Sequence, residues 1–181
     1  MGAGGCTLYT IVEITEYDRA ITNRISPFFD IHSVHATHQG AMRALHRIKK
    51  GYDEYNVESW IIDKTLVISR VPWRALTKIS YKIELATLYG THINDKTVYH
   101  LMGFNGYMND QDKPYRYDNL GWFTSPYVAR GTKEWQILKH ILVSRDDISG
   151  YETELEIKIN NPYDCTDQNP SLVLRPYRLY K

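Results

Sequence analysis

The sequence predicts an α+β fold built from two similar β-β-α-β modules, with a mostly antiparallel sheet and two main helices. An apolar-rich segment runs twice into a hydroxyl residue, Thr37 within residues 34–41 and Ser125 within residues 122–129. Threonine and serine are preferred helix N-caps because the side-chain oxygen accepts from free N–H groups of the first turn. An alternating strand pattern follows each predicted helix, so both halves read strand, strand, helix, strand.

The first module is predicted over residues 1–72. Its elements are strands near 8–14 and 28–36, a helix over about 38–50, and a strand near 56–62. Residues 66–68 either extend that last strand or pair with it. Ala41, Leu45 and Ile48 share one face of this helix. Gly51 predicts its end, because glycine is common just after a helix. Pro72 marks the join to the second module, since proline breaks regular structure.

The second module is predicted over residues 73–162. Its elements are strands near 80–85 and 98–102, an irregular stretch over 103–121, a helix after Ser125 and a strand over 151–159. Pro126 stands at the first helical position, where the missing N–H costs nothing. We place Thr132 and Trp135 on the inner face of this helix. Residues 163–181 form a tail with a short strand at 172–174, and the whole chain is expected to form one compact unit.

Composition limits the classes of function. The chain has 181 residues, 43% of them hydrophobic, and a formal net charge of +1, which is typical of a globular protein and argues against a general polyanion binder. Cys6 and Cys165 are too few for a disulfide framework or a cysteine zinc site, which favours a reducing cytoplasm. No apolar run approaches the roughly 18 residues of a membrane span. We therefore expect a cytoplasmic protein with no membrane partner and no cofactor.

His32, His35 and His38 form the densest histidine cluster. Imidazole is a common zinc ligand. Residues an odd number apart on a strand face opposite sides, so His32 and His35 are expected on opposite faces. His38 follows the predicted cap, in the first helical turn. The pattern therefore predicts surface or satisfied histidines and no metal site.

Residues 35–37 read His-Ala-Thr and resemble the His-x-Thr element of the two-histidine phosphoesterases, which are built from two similar lobes. The resemblance implies that one histidine from each lobe serves as base and acid. Residues 122–124 read Trp-Phe-Thr, so the second histidine is missing. We therefore expect Thr37 to cap a helix and expect no phosphoesterase activity.

A third pattern resembles the His-Tyr-Glu order of the ADP-ribosyltransferases, with His100, Tyr127 and a later glutamate, which is Glu152, Glu154 or Glu156 and for which we take Glu154. The resemblance implies that the histidine and tyrosine cradle a nicotinamide dinucleotide while the glutamate orients its ribose. Leucine follows His100 here in place of that family's usual glycine. A divergent ADP-ribosyltransferase-like enzyme is the catalytic alternative, with these three as catalytic residues.

Basic residues support a nucleic-acid-binding module as a second alternative. Arg43, Arg47 and Lys50 share one side of the first predicted helix, opposite its apolar stripe. Arg175 and Arg178 lie in the tail among tyrosines. Basic groups with interleaved aromatics suit phosphate and base contacts. The near-neutral total charge favours an ordinary solvated helix face instead.

The stretch 103–121 is the strongest candidate for a protein-binding site. Loops of this length in a compact domain are usually functional or disordered. It contains residue types that dominate interface energy. These are Tyr107, Met108, Tyr115, Arg116 and Tyr117.

In style, the chain is similar to the small accessory proteins that phages encode, which commonly bind and inhibit or redirect a host enzyme. This resemblance extends over the whole chain and transfers no residue roles. It implies a non-enzymatic protein that binds a host enzyme and occludes its surface. We take this as the leading expectation for function.

Overall fold

The structure is a computed structural model that describes residues 6–17, 27–69, 76–91, 96–104, 118–160 and 170–181. These residues form ten strands and three helices, which confirms a mixed α+β class dominated by sheet. The strands are β1 Cys6–Tyr17, β2 Phe28–His35, β3 Ser59–Ile62, β4 Thr65–Ser69, β5 Leu76–Tyr89, β6 Thr97–Phe104, β7 Asp118–Phe123, β8 Ser149–Glu152, β9 Glu156–Asn160 and β10 Ser171–Tyr180. The helices are α1 His38–Glu54, α2 Pro126–Arg130 and α3 Lys133–Ser144.

The chain divides into two compact units. The described residues between Thr7 and Ala86, together with Leu179–Lys181, form the N-terminal unit. Cys6 and the described residues between Thr87 and Arg178 form the C-terminal unit. Strands β5 and β10 therefore each contribute residues to both units. No helix in the described ranges is both long and apolar enough to cross a membrane.

The sheet of the N-terminal unit is mostly antiparallel. Strand β1 pairs antiparallel with β2 and also pairs with β5, and β4 lies antiparallel between β5 and β3. The last residues of β10 pair in parallel with the end of β2, where Tyr180 lies opposite His35. Helix α1 contacts β2, β3 and β4. It buries Ala41 and Leu45 against apolar side chains of the strands, among them Ile11 and Leu66.

Helix α1 begins as the sequence predicts and ends later. Thr37 has extended backbone angles and its side chain accepts a hydrogen bond from the Gly40 N–H at 3.0 Å, so it is the predicted N-cap. The helix continues through Gly51 to Glu54, so the predicted end at Gly51 is wrong. Lys49 and Asp53 form an i,i+4 ion pair at 2.7 Å across this extra turn, which favours its helical conformation.

The C-terminal unit has its own sheet and core. Strand β6 pairs antiparallel with β7 and β10, and β9 lies antiparallel between β10 and β8. The last residues of β5 pair in parallel with the end of β7. Trp135 and Leu138 of α3 pack against buried strand residues that include Leu101, Ile157 and Leu174.

The second helical region contains two helices where the sequence predicted one. Ser125 accepts from the Val128 N–H at 3.3 Å, with Pro126 at the first position, so the predicted start is confirmed. Helix α2 stops at Arg130, before Gly131. Thr132 then caps α3 by accepting from the Trp135 N–H. Placing Thr132 on an inner helix face was therefore wrong, because its hydroxyl starts a new helix.

The predicted strand over 151–159 is two strands. Strands β8 and β9 form an antiparallel pair, and the chain reverses at Thr153, whose hydroxyl accepts from the Glu156 N–H at 2.9 Å. The alternating pattern is the same for one strand or for a tight hairpin, so periodicity alone could not separate them. The predicted short strand at 172–174 is part of the longer β10, which runs through Tyr180.

The ends of the predicted irregular stretch 103–121 are also strand. Gly103 lies in β6, and Asn119 and Gly121 lie in β7. The remaining residues, 105–117, lie outside the described part of the chain, as does the predicted join at 71–74.

The two units share an order of strand pairing. In the N-terminal unit the order is the end of β10, then β2, β1, β5, β4 and β3; in the C-terminal unit it is the end of β5, then β7, β6, β10, β9 and β8. Each unit also has a register shift in the hairpin that precedes its helix, between Ile11 and Val12 and between Leu101 and Met102. This order supports the predicted internal repeat, which itself stays a prediction.

Candidate functional site

Within the described part of the chain, an open pocket of about 410 Å³ lies in the N-terminal unit. Three elements build it: the end of β2, the second and third turns of α1, and the end of β10. The residues that line it are His32, Ser33, His35, Ala44, Arg47, Ile48 and Tyr180. Arginine, imidazoles and a hydroxyl are therefore gathered beside apolar side chains, and no carboxylate lines the pocket within the described residues.

A β-bulge brings His32 into this pocket. Ile11 lies opposite Ser33 and Val12 lies opposite Ile31, so His32 is the extra residue of β2. A bulge breaks the alternation of a strand and changes the direction of its side chains. The expectation that His32 and His35 lie on opposite faces is therefore wrong, because both line one pocket. Nothing in the sequence marks the bulge, since neither glycine nor proline stands near it.

Ser33 connects the two histidines. Its Oγ lies 3.0 Å from His35 Nε2 and 3.3 Å from His32 Nδ1. A hydroxyl has one proton and two lone pairs, so Ser33 can donate to one ring and accept from the other. The His32 ring also meets the edge of Tyr81 at 5.4 Å, and the His35 ring packs on Tyr180 at 5.5 Å. These contacts fix the orientation of both imidazoles.

His35 is a buried histidine at the base of this arrangement. Its exposed fraction is 2%. Burial lowers its pKa, and nearby Arg47 and His32 lower it further, because each disfavours a second positive charge. Within the described residues, its Nδ1 atom has no hydrogen-bond partner. A buried ring nitrogen without a partner is a group that a bound ligand or a water molecule can satisfy.

Arg47 supplies the fixed positive charge of the pocket. It is an exposed residue of α1, one turn after Ala44 and next to Ile48. Among the ion pairs of the described residues, none involves Arg47, whereas Lys49 and Lys50 on the same helix pair with Asp53 and Glu54. A guanidinium can bind a phosphate or a carboxylate through two parallel hydrogen bonds.

The other residues of the predicted nucleic-acid site are not among the residues that line the pocket. Arg43 and Lys50 are exposed on α1, so the predicted basic side of this helix is present, and Arg47 belongs to both groups. Arg175 and Arg178 are exposed on the β10 segment of the C-terminal unit.

The predicted transferase residues have unlike environments. His100 is 1% exposed; its ring stacks on Trp122 at 4.4 Å and its Nε2 lies 3.0 Å from the Asn119 side-chain oxygen. Burial lowers the pKa of His100 to about 4, with the Asn119 hydrogen bond opposing and Arg175 adding to the shift. Tyr127 is 86% exposed, and Glu154 is exposed in the turn before β9. A buried histidine and two exposed side chains are not the arrangement of one shared pocket.

Another glutamate has a structural role that sequence reasoning missed. Glu152 accepts a hydrogen bond from the buried Trp135 Nε1 at 2.9 Å. Its carboxylate also lies 3.4 Å from Arg130 Nη2 and 3.2 Å from Lys139 Nζ. Together these contacts lower the pKa of Glu152, the Trp135 hydrogen bond most strongly. The group joins β8 to both helices of the C-terminal unit.

The remaining predicted residues occupy separate positions. Thr37 caps α1, so its hydroxyl is already used. His38 starts α1 and meets the edge of the Tyr9 ring at 5.7 Å. Within the described ranges, no group of three or more metal-ligating side chains could hold a metal ion. The predicted protein-binding residues lie outside the described ranges: Tyr107, Met108, Tyr115, Arg116 and Tyr117.

Comparison of the chain with protein-family models, with curated proteins and with solved structures finds no match.

Proposed function

We propose that the N-terminal unit is a non-enzymatic binding module for an anionic, phosphate-bearing ligand. The observation that supports this proposal is the lining of the pocket, which combines Arg47, His32 and Ser33 and, among the described residues, contains no carboxylate. Hydrogen bonds from an arginine to phosphate oxygens are among the stronger ones in proteins, because charge assists them. The histidine and serine add donors for the remaining oxygens.

The environment of His35 favours binding over catalysis. A histidine that acts as a base towards a serine is usually held in one tautomer by a carboxylate on its other nitrogen. Within the described residues the Nδ1 atom of His35 has no partner, and the ring packs on Tyr180 instead. Ser33 then serves to present its hydroxyl to a ligand, and the buried His35 ring holds that hydroxyl in place.

Isothermal titration calorimetry with ribose 5-phosphate tests the proposal. We expect saturable binding to the full chain, weakened about tenfold or more by Arg47→Gln, because a lost charged hydrogen bond costs about 1.5–3 kcal/mol. Arg43→Gln is the matched control, since Arg43 is exposed on the same helix and does not line the pocket. No binding by the unaltered chain, or an equal loss in both variants, would contradict the proposal.

The segment 103–121 supports a separate proposal, a protein partner. Its tyrosines, methionine and arginine are residue types that dominate protein interfaces. The similarity in style to phage accessory proteins supports a host enzyme as that partner. This proposal rests on the sequence, and a triple substitution described in the Discussion tests it.

A further inference from the structure

The pocket of the N-terminal unit has two chemically different parts. Arg47, His32 and Ser33 form the polar part, and Ala44, Ile48 and Tyr180 form the apolar and aromatic part. Helix α1 contributes to both, because Arg47 and Ile48 follow Ala44 by three and four positions, so each lies about one turn after it. A ligand that uses the whole pocket therefore has an anionic group and an apolar or aromatic group.

The volume of the pocket supports the same inference. Pockets for small organic molecules have volumes of about 300–1,000 Å³, and this pocket has about 410 Å³. An inorganic phosphate fills a small part of that space. Ala44, Ile48 and Tyr180 supply apolar and aromatic lining for a larger ligand, and burial of apolar surface stabilises a complex by about 25 cal/mol per Å².

Tyr180 is suited to contact a flat ring. It lies opposite His35 in the parallel pairing of β10 with β2, and its ring packs on the His35 ring at an interplanar angle of 32°. The tyrosine is 45% exposed and lines the pocket. Because His35 is 2% exposed and bonded to Ser33, it supports the tyrosine ring from one side.

We propose that the ligand of this pocket is a nucleotide, with its phosphate at Arg47 and His32 and its base against Tyr180. The inference rests on the proposed phosphate-binding function and names its ligand class. Stacking of a base on an aromatic side chain contributes about 1–3 kcal/mol and tolerates any base. The same chemistry is present in a free nucleoside monophosphate and at a phosphorylated strand end.

Calorimetric titrations of the full chain with four probes test the inference. The probes are inorganic phosphate, ribose 5-phosphate, AMP and a short DNA strand with a 5′-phosphate. We expect AMP to bind about tenfold or more tightly than ribose 5-phosphate, which corresponds to about 1.4 kcal/mol. If the DNA strand binds no more tightly than AMP, the ligand is the free nucleotide. If the DNA strand binds more tightly than AMP, the ligand is the phosphorylated strand end.

Two substitutions of Tyr180 test whether its ring causes the preference for AMP over ribose 5-phosphate. Tyr180→Leu keeps an apolar side chain but removes the aromatic face, and we expect AMP to bind it no more tightly than ribose 5-phosphate. Tyr180→Phe keeps the ring, and we expect it to retain the preference for AMP. Tyr55→Leu is a control, because Tyr55 is 82% exposed in the same unit and does not line the pocket. A thermal melt of each variant shows whether it is folded.

The outcomes separate this inference from the proposed function. Equal affinities for AMP and ribose 5-phosphate would overturn the nucleotide inference and leave phosphate binding in place. A preference for AMP that survives in folded Tyr180→Leu would also overturn it, since the base would then bind elsewhere. Failure of every phosphate probe to bind would overturn both.

Discussion

The hydroxyl oxygen of Ser33 lies 3.0 Å from Nε2 of the buried His35. Two positions apart on β2, these residues form the hydrogen-bonded pair at the base of the pocket. Within the described residues it is the hydrogen bond that satisfies the His35 ring, because Nδ1 has none. The pair therefore contributes both to the stability of the N-terminal unit and to the shape of the site.

Ser33→Ala is expected to destabilise the chain by about 1–3 kcal/mol, because it leaves both buried nitrogens of His35 without a partner. Ser33→Thr keeps the hydroxyl and is expected to lose less stability than Ser33→Ala. Urea denaturation followed by circular dichroism measures the difference. Ser149→Ala, on the exposed β8, is the control. A loss no larger than that of the control would contradict the role given to this hydrogen bond.

His100 is expected to make the stability of the chain depend on pH between 6.5 and about 4. Its pKa in the folded protein is about 4, below the usual 6.5, so the unfolded chain binds the proton more tightly. Stability from this group is complete above pH 6.5 and falls as the pH drops towards 4, by up to about 1.4 kcal/mol per pH unit. Denaturation curves at several pH values measure this slope.

His100→Gln removes this titrating group, and we expect it to reduce the slope in that range. His46→Gln is the control, because His46 is exposed on α1. An unchanged slope in His100→Gln would show that other groups cause the pH dependence.

Glu152 is expected to stabilise the C-terminal unit through Trp135. The tryptophan has 0% exposure, so its N–H needs an acceptor inside the protein. Glu152→Ala should cost about 1–3 kcal/mol by leaving that donor unsatisfied, whereas Glu152→Gln keeps an acceptor and should cost less. Tryptophan fluorescence during denaturation reports the loss, and Glu154→Ala is the exposed control. Equal stability of the two alanine variants would contradict this role.

Two glycines give opposite predictions. Gly90 has a φ of +110° and a side chain there would collide with the Thr124 hydroxyl, so Gly90→Ala should destabilise by about 2 kcal/mol or more. Gly51 lies inside α1, and a methyl group added there would meet no atom within 4 Å, so Gly51→Ala should stabilise by about 0.5–1 kcal/mol. Thermal melts of both variants test the pair. Destabilisation by Gly51→Ala would contradict the observed length of α1.

A combined change of Tyr107, Tyr115 and Tyr117 to alanine tests the proposed protein partner. A pull-down from a candidate host lysate with mass spectrometry first supplies that partner. Truncating a central interface tyrosine commonly costs about 2 kcal/mol, so the triple variant should bind it well over tenfold more weakly. We expect the melting temperature to stay unchanged, because the sequence predicts these tyrosines in an irregular stretch and not in the core. Unchanged affinity would mean that the interface lies elsewhere. A lowered melting temperature would mean that these tyrosines belong to the core.

Local chemistry predicted the starts of α1 and α2, whereas long-range strand pairing determined features that no local pattern could predict. Thr37 and Ser125 cap helices because capping depends on residues within one turn. The hairpin of β8 and β9 and the break at Gly131 were missed, because alternation and helical periodicity continue through short turns. The parallel pairing of Tyr180 with His35 joins residues far apart in the chain, and no local pattern predicts it.

The candidate site was predicted in its parts and not as a whole. The histidine cluster and Arg47 were singled out for separate reasons, metal binding and nucleic-acid binding. The bulge at His32 and the return of β10 bring them together with Ser33 and Tyr180. Neither feature has a signal in the sequence, because a bulge depends on how β2 pairs with β1.

An NMR titration of the imidazole signals with AMP decides whether this pocket binds the phosphate. If it does, the ring signals of His32 and His35 shift and saturate together, while those of His140, exposed on α3, stay in place. Arg47→Gln should weaken this response about tenfold or more. Binding of AMP that leaves the His32 and His35 signals unchanged, or that moves His140 equally, would contradict the assignment of this pocket as the binding site.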